Sequence, residues 1–198
     1  MEPAVPFVGL TGGMGAGKST ALAALARLGA AVLSSDEVVH DLYAGAQLRD
    51  AVVARWGAEV APGGVVDRRA VAERTFSSDQ EREWLERLVW PLVGARVAAW
   101  LDRVRSDTPP PRAAVVEVPL LFESDMAGLY DATLAIVATE PVRRERAAAR
   151  GHALADERAA RQLSQTEKAR RATFVVANDG SEEDLERALS AVLDKVSA

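Results

Sequence analysis

"VGLTGGMGAGKST", residues 8–20, decides how the rest of the chain is read. Val8, Gly9 and Leu10 close a short apolar run, a glycine-rich turn follows, and Lys18-Ser19-Thr20 opens a helical pattern. Gly12, Gly17, Lys18 and Ser19 fit G-x-x-x-x-G-K-[ST], a loop that cradles phosphate between a strand and a helix. The glycines let the backbone curl so that several N–H groups converge on phosphate oxygens. Lys18 supplies an ammonium for the β- and γ-phosphates, Ser19 a hydroxyl for Mg²⁺, and the following helix its positive N-terminus. The loop alone points to a nucleoside triphosphate with Mg²⁺ and leaves switch, pump and phosphoryl transferase open.

Working outward, "VPFVGL" (5–10) reads as a buried strand and "STALAALARLG" (19–29) as a helix ending at Gly29. "AAVLSS" (30–35) reads as a second strand with Asp36 at its C-terminal edge. From Glu37 to about Arg105 the pattern is helical, broken by the turn "APGGVVD" (61–67). "SDTPPPR" (106–112) is a linker, since three prolines cannot continue a helix. "AAVVEVPLLF" (113–122) and "YDATLAIVAT" (130–139) are apolar runs of the kind found in strands covered on both faces. Residues 141–171 return to helix with a break at "GHAL" (151–154). "TFVVAND" (173–179) is a last strand, and 181–196 a helix with Ser181 as N-cap and Asp184 three residues on.

Strands alternating with helices predict an α/β fold with a parallel sheet, in which ligands bind beyond the carboxyl ends of the strands. The helical stretch 37–111 is one insertion and the Arg-rich 141–171 a second.

The chain has 198 residues, enough for a proper core, with 48% hydrophobic and 27% charged residues and no cysteine. Disulfides and thiolate metal sites are excluded. A net charge of −5 argues against a general nucleic-acid binder. Residues 140–171 run the other way, with nine Arg or Lys against five Asp or Glu, which points equally to a small anionic ligand met at one place or to a solvated Arg-rich helix face. No apolar run approaches the ~20 residues of a membrane span, and the N-terminus lacks the build of a signal peptide, so a cytoplasmic protein is expected.

A phosphoryl transferase must also orient or deprotonate the attacking hydroxyl. Asp36 is the first carboxylate after the second strand, and as an N-cap of the helix "EVVHDLY" it would be explained equally well. Glu117 ends "AAVVE", a position suited to holding the water shell of Mg²⁺. Pro119, Leu120, Leu121 and Phe122 are odd for a solvent-facing loop, and either pack a ligand or plug the core. Arg143, Arg146 and Arg150 fall at i, i+3 and i+7 on one helical face, where they can neutralise a transferring phosphoryl group or pair with Glu140, Glu145 and Glu157; Arg161 can join them.

These motifs together resemble the dephospho-coenzyme A kinase family from end to end. "GLTGGMGAGKST", "SSD" ending at Asp36, "GGVVDRRAV" (63–71), "VPLLFE" (118–123), "RQLSQTEK" and "VVANDG" stand in the family's order. The resemblance implies a three-layer phosphate-loop NTPase fold with a parallel sheet, a helical substrate-binding insertion and a small helical lid. In this chain that gives a nucleotide-binding core of 1–36, 112–140 and 172–198, a substrate domain of 37–111 and a lid of 141–171.

It further implies ATP-dependent phosphorylation of the ribose 3′-hydroxyl of dephospho-CoA, with Asp36 as base and Lys18, Arg146 and Arg150 as catalytic cations. ATP is expected on Gly13, Met14, Gly15, Ala16, Gly17, Lys18, Ser19 and Thr20, with Asn178 and Gly180 near the adenine. Dephospho-CoA is expected on Asp36, Arg68, Pro119, Leu120, Leu121, Phe122 and Arg161, and Mg²⁺ on Ser19 and Glu117. Two positions depart from the family's pattern: Trp90 stands where it usually has His, and Thr173 where it usually has Asp. Another small-metabolite kinase and a nucleotide-dependent switch are the alternatives; "VPLLFE" argues against the first, and "NDGSEED" (178–184) lacks the Lys of a guanine-specific segment.

Overall fold

The computed structural model describes residues 5–149 and 162–197. In chain order its elements are β1 (Phe7–Gly12), α1 (Lys18–Arg27), β2 (Ala31–Ser34), α2 (Ser35–Ala44), α3 (Ala46–Trp56), α4 (Arg68–Phe76), α5 (Asp79–Arg105), β3 (Ala114–Glu117), β4 (Ala132–Val137), α6 (Glu140–Ala149), α7 (Gln165–Arg171), β5 (Phe174–Ala177) and α8 (Glu182–Val196). Single-turn 3-10 helices lie at 58–60, 62–64 and 127–129. The chain forms two compact units, Met1–Ser34 with Arg103–Ala198, and Ser35–Asp102. No described helix is long and apolar enough to cross a membrane.

In the first unit the five strands make one parallel sheet in the order β2-β3-β1-β4-β5. The central strand β1 is buried along its whole length, as its unbroken apolar run requires in a sheet covered on both faces. Its side chains alternate. Val8 and Leu10 point into a core shared with Ala21, Ala24 and Leu25 of α1 and Leu185, Leu189 and Leu193 of α8. Phe7, Gly9 and Thr11 face the other side, where Phe7 stacks on Tyr130 with ring centroids 4.5 Å apart and Thr11 meets α7. α8 begins as read, with a reciprocal capping box between Ser181 and Asp184. Gly29 takes φ 89° just past α1, the left-handed turn that stops a helix.

Two expectations need correction. The run 113–122 does not continue as a strand: β3 stops at Glu117, and 119–125 turns back on itself through the Ser124 N to Leu120 O bond. Pro119 has no N–H to offer a ladder, so pairing cannot extend past it. Asp36 is not an N-cap, because α2 already begins at Ser35 and places Asp36 inside its first turn.

The second unit carries α2, α3, α4 and most of α5 around Val38, Leu42, Leu48, Val52, Val60 and Val71. Its aromatic centre is Trp56, buried, with Trp84 edge-on at 5.1 Å. Glu81 accepts from the Trp56 indole N–H at 2.7 Å and from Arg55 at 2.8 and 3.0 Å, and the Arg55 guanidinium lies 5.4 Å over the Trp84 ring. Trp90 is half exposed. Thr173 exchanges hydrogen bonds with Thr133, backbone N–H to hydroxyl in both directions, at the start of the β4–β5 pairing in the first unit.

Candidate functional site

β1 delivers the chain into the phosphate loop at the carboxyl edge of the sheet. Gly15 and Gly17 have φ 74° and 90°, conformations that cost an L side chain. The loop is also crowded: a Cβ on Gly15 would lie 2.5 Å from the Arg143 carbonyl, and one on Gly17 would collide with the Asn178 amide. Glycine is required twice over, by torsion and by space. Gly17 precedes α1 without side-chain capping, so the first-turn N–H groups of Lys18, Ser19 and Thr20 keep the positive helix end for an anion. The Lys18 ammonium donates to the carbonyls of Gly12 at 3.1 Å and Gly13 at 3.3 Å, standing over the loop.

Two other segments hold that loop in shape. From α6, Arg143 donates through Nε to the Met14 carbonyl at 2.8 Å. Arg146 donates to the Asn178 carbonyl at 3.0 Å, and Asn178 donates in turn through Nδ2 to the Ala16 carbonyl at 2.9 Å. Asn178 is buried and follows β5 directly. Gly180 leads into the Ser181 cap. Among the described residues neither arginine pairs with an acidic neighbour; Glu140 pairs instead with Arg144. Arg150 and Arg161 lie outside the described residues.

Glu117 is buried at the end of β3, level with Leu10 on β1 and Ser34 on β2, and Ser34 Oγ donates to it at 3.4 Å. Beyond it, Leu120 is exposed and Pro119 and Phe122 are partly so, but Leu121 is fully buried. Leu121 is corrected from ligand wall to core: a Cβ on Gly9 would meet its Cδ2 at 3.1 Å, so it packs under β1.

In the second unit, Asp36 is exposed in the first turn of α2 and makes no hydrogen bond or ion pair among the described residues. Arg68, the first residue of α4, lies 5.7 Å over the Tyr43 ring and 2.9 Å from His40 Nδ1, both on α2.

A family model described as dephospho-CoA kinase matches residues 6–184. The chain belongs to the dephospho-CoA kinase family. It is 34% identical to the dephospho-CoA kinase of Rhizobium meliloti over 97% of this chain and 98% of that one. A Thermus thermophilus crystal structure superposes with a TM-score of 0.80 at 36% identity, covering 97% of this chain and 98% of that one. A dephospho-CoA kinase from Campylobacter jejuni has the same fold, with a TM-score of 0.70 at 22% identity over 96% of each chain. The protein is thus a kinase of coenzyme A biosynthesis that phosphorylates dephospho-CoA, on a phosphate-loop kinase fold.

Sequence reasoning missed several residues around the kinase's site. Arg143 stood on the right helical face but had no loop contact assigned. Lys168 reads in sequence as one more cation of a solvated Arg-rich helix, yet it is fully buried. Burial pulls its pKa down while Glu123, 3.0 Å away, pulls it up. Gln165 bonds Ala138 through both amide atoms, at 3.1 and 2.7 Å, pinning α7 to the end of β4. The signal for Glu123, Gln165 and Lys168 lay inside "VPLLFE" and "RQLSQTEK", which name a family without telling core from surface.

Proposed function

We propose that the phosphoryl donor is ATP with Mg²⁺ and that the acceptor is the ribose 3′-hydroxyl of dephospho-CoA, giving coenzyme A and ADP in the cytoplasm. The observation that carries the donor half is the uncapped α1 N-terminus behind a two-glycine turn, with Lys18 over it and Arg143 and Arg146 docked on its rim. The core of 1–36, 112–140 and 172–198, the insertion 37–111 and the segment 141–171 act as nucleotide platform, acceptor domain and lid.

The donor set fits magnesium. Ser19 and Glu117 offer hard oxygen, and no group of three His, Cys, Asp or Glu side chains among the described residues makes an all-protein cage. Mg²⁺ keeps phosphate and water ligands and suits such a site. When bound it neutralises charge on the triphosphate; Ser19 would ligate it directly and Glu117 would hold its water shell.

The chain's own residues do the rest. Backbone N–H groups of 13–20 bind the β-phosphate. Lys18, Arg146 and Arg150 stabilise charge on the transferring group's equatorial oxygens. Asp36 accepts the proton of the 3′-hydroxyl as its oxygen bonds to phosphorus and the bond to the ADP oxygen breaks. Arg68, Arg161 and the exposed side of 119–122 hold the acceptor, and Asn178 with Gly180 flanks the adenine.

Purified protein with Mg²⁺–ATP should release ADP rapidly with dephospho-CoA and at background rate with AMP, shikimate or gluconate. The product should carry its new phosphate on the 3′-oxygen by phosphorus NMR. Equal rates with all four acceptors, or phosphate elsewhere on the ribose, would overturn the proposal.

A further inference from the structure

The turn after β3 is held by a buried ionic cluster that phosphoryl transfer does not explain. Lys168, at the middle of α7, is fully buried and spends its ammonium on three acceptors. These are the Pro119 carbonyl at 2.5 Å, a Glu123 oxygen at 3.0 Å and the Thr11 hydroxyl at 3.4 Å. Thr11 also donates to the Pro119 carbonyl at 3.3 Å. The same Glu123 oxygen accepts the Leu163 N–H at 2.7 Å, while the other, Oε2, is buried with no partner among the described residues.

Stability does not account for this arrangement. A buried ion pair loses in desolvation much of what it gains in attraction, and well-packed apolar replacements are often neutral or better. A carboxylate oxygen left unpaired adds to the cost. What the cluster does supply is geometry. Thr11 is the residue before Gly12 of the phosphate loop, and Pro119 and Glu123 bracket the 119–123 turn. One ammonium therefore fixes the start of the donor loop against both ends of the segment read above as the acceptor wall.

We propose that Lys168 and Glu123 are a positioning pair for the acceptor: they set where the exposed Leu120 and Phe122 side of the turn stands relative to the phosphate loop. The pair does not touch either substrate. The inference rests on the reading of 119–122 as acceptor wall.

The test compares the full-length protein with the Lys168→Met/Glu123→Leu double variant, with Glu123→Gln and with Leu120→Ser. Thermal unfolding is measured beside kcat and the separate KM values for dephospho-CoA and ATP. The double variant should unfold within a few degrees of the parent, yet show a KM for dephospho-CoA raised about tenfold and a KM for ATP changed less than about threefold. Glu123→Gln keeps the side chain's shape while removing its charge, should show the same split, and serves as the probe if the double variant does not fold. Leu120→Ser should raise the KM for dephospho-CoA alone.

If Leu120→Ser has that effect while the folded pair variants match the parent, the positioning role is overturned and the acceptor wall stands. If Leu120→Ser leaves the KM for dephospho-CoA unchanged, the wall reading fails and takes the inference with it. A parallel rise in both KM values in the pair variants overturns it as well, because general loosening would move both.

Discussion

The side-chain amide of Asn178 donates to the carbonyl of Ala16 at 2.9 Å, tying the end of β5 to the middle of the phosphate loop. The two residues are 162 positions apart in sequence. Gly17 lies directly against this bond, and only the absence of a Cβ leaves room for the amide. Asn178→Ala should therefore raise the KM for ATP at least about tenfold while the KM for dephospho-CoA moves little. Gly17→Ala should act in the same direction and more strongly, since it adds about 1–2 kcal/mol of backbone strain to the collision. Steady-state kinetics with each substrate varied in turn checks both.

Lys18 stands over the loop with its ammonium on the Gly12 and Gly13 carbonyls. Lys18→Met removes the charge and keeps the stem. Turnover should fall about 10²–10³-fold, the range seen for loss of a preorganised electrostatic donor. The melting temperature should change by no more than a few degrees, which differential scanning fluorimetry reads directly.

Asp36 has no partner among the described residues that a substitution would orphan. Asp36→Asn should leave folding and ATP binding near normal and cut kcat about 10²–10⁴-fold, the usual contribution of a general base. A rate within threefold of the parent would remove Asp36 from the mechanism.

Arg146 donates to a backbone carbonyl at 3.0 Å from a partly exposed position. Arg146→Ala should lower kcat about tenfold or more in single-turnover measurements, with little loss of stability. Equal losses in rate and in thermal stability would make the arginine a structural tie to Asn178.

In the second unit Glu81 is drawn from its ordinary 4.5 down to about 2 by its hydrogen bonds from Arg55 and then Trp56. A carboxylate whose folded pKa lies below its unfolded one contributes stability that is present above the unfolded pKa and lost as the pH falls through the folded one. The contribution is therefore complete above about pH 4.5 and gone near pH 2. Glu81→Gln should move the acid-unfolding midpoint of this unit to higher pH and flatten the dependence between those limits. Tryptophan fluorescence follows it, because Trp56 and Trp84 sit in the same cluster.

Much of the fold was legible along the chain. The apolar runs at 7–12 and 132–137 became strands because a parallel sheet buries both faces and leaves little room for polar alternation, while 174–177 forms the edge strand with Val176 buried and Val175 exposed. Gly29 and Ser181 mark helix ends by torsion and capping, both local properties. Local chemistry could not tell Leu120 from Leu121, which differ only in which side of a turn faces the core. Nor could it tell Lys168 from Arg170 and Arg171, which share its helix but pair with Glu167 at the surface.

The sequence by itself determined the phosphate loop, the strand–helix alternation and the family, because glycine torsions, capping and hydrophobic period act within a few residues. Only the tertiary structure decided that Asn178, Arg143 and Arg146 brace the loop and that one buried ammonium joins Thr11, Pro119 and Glu123. Those contacts join residues far apart in the chain, and burial is a property of the packed whole. A charge that reads as solvated in one dimension becomes, once the sheet closes over it, the fixed point around which the turn is built.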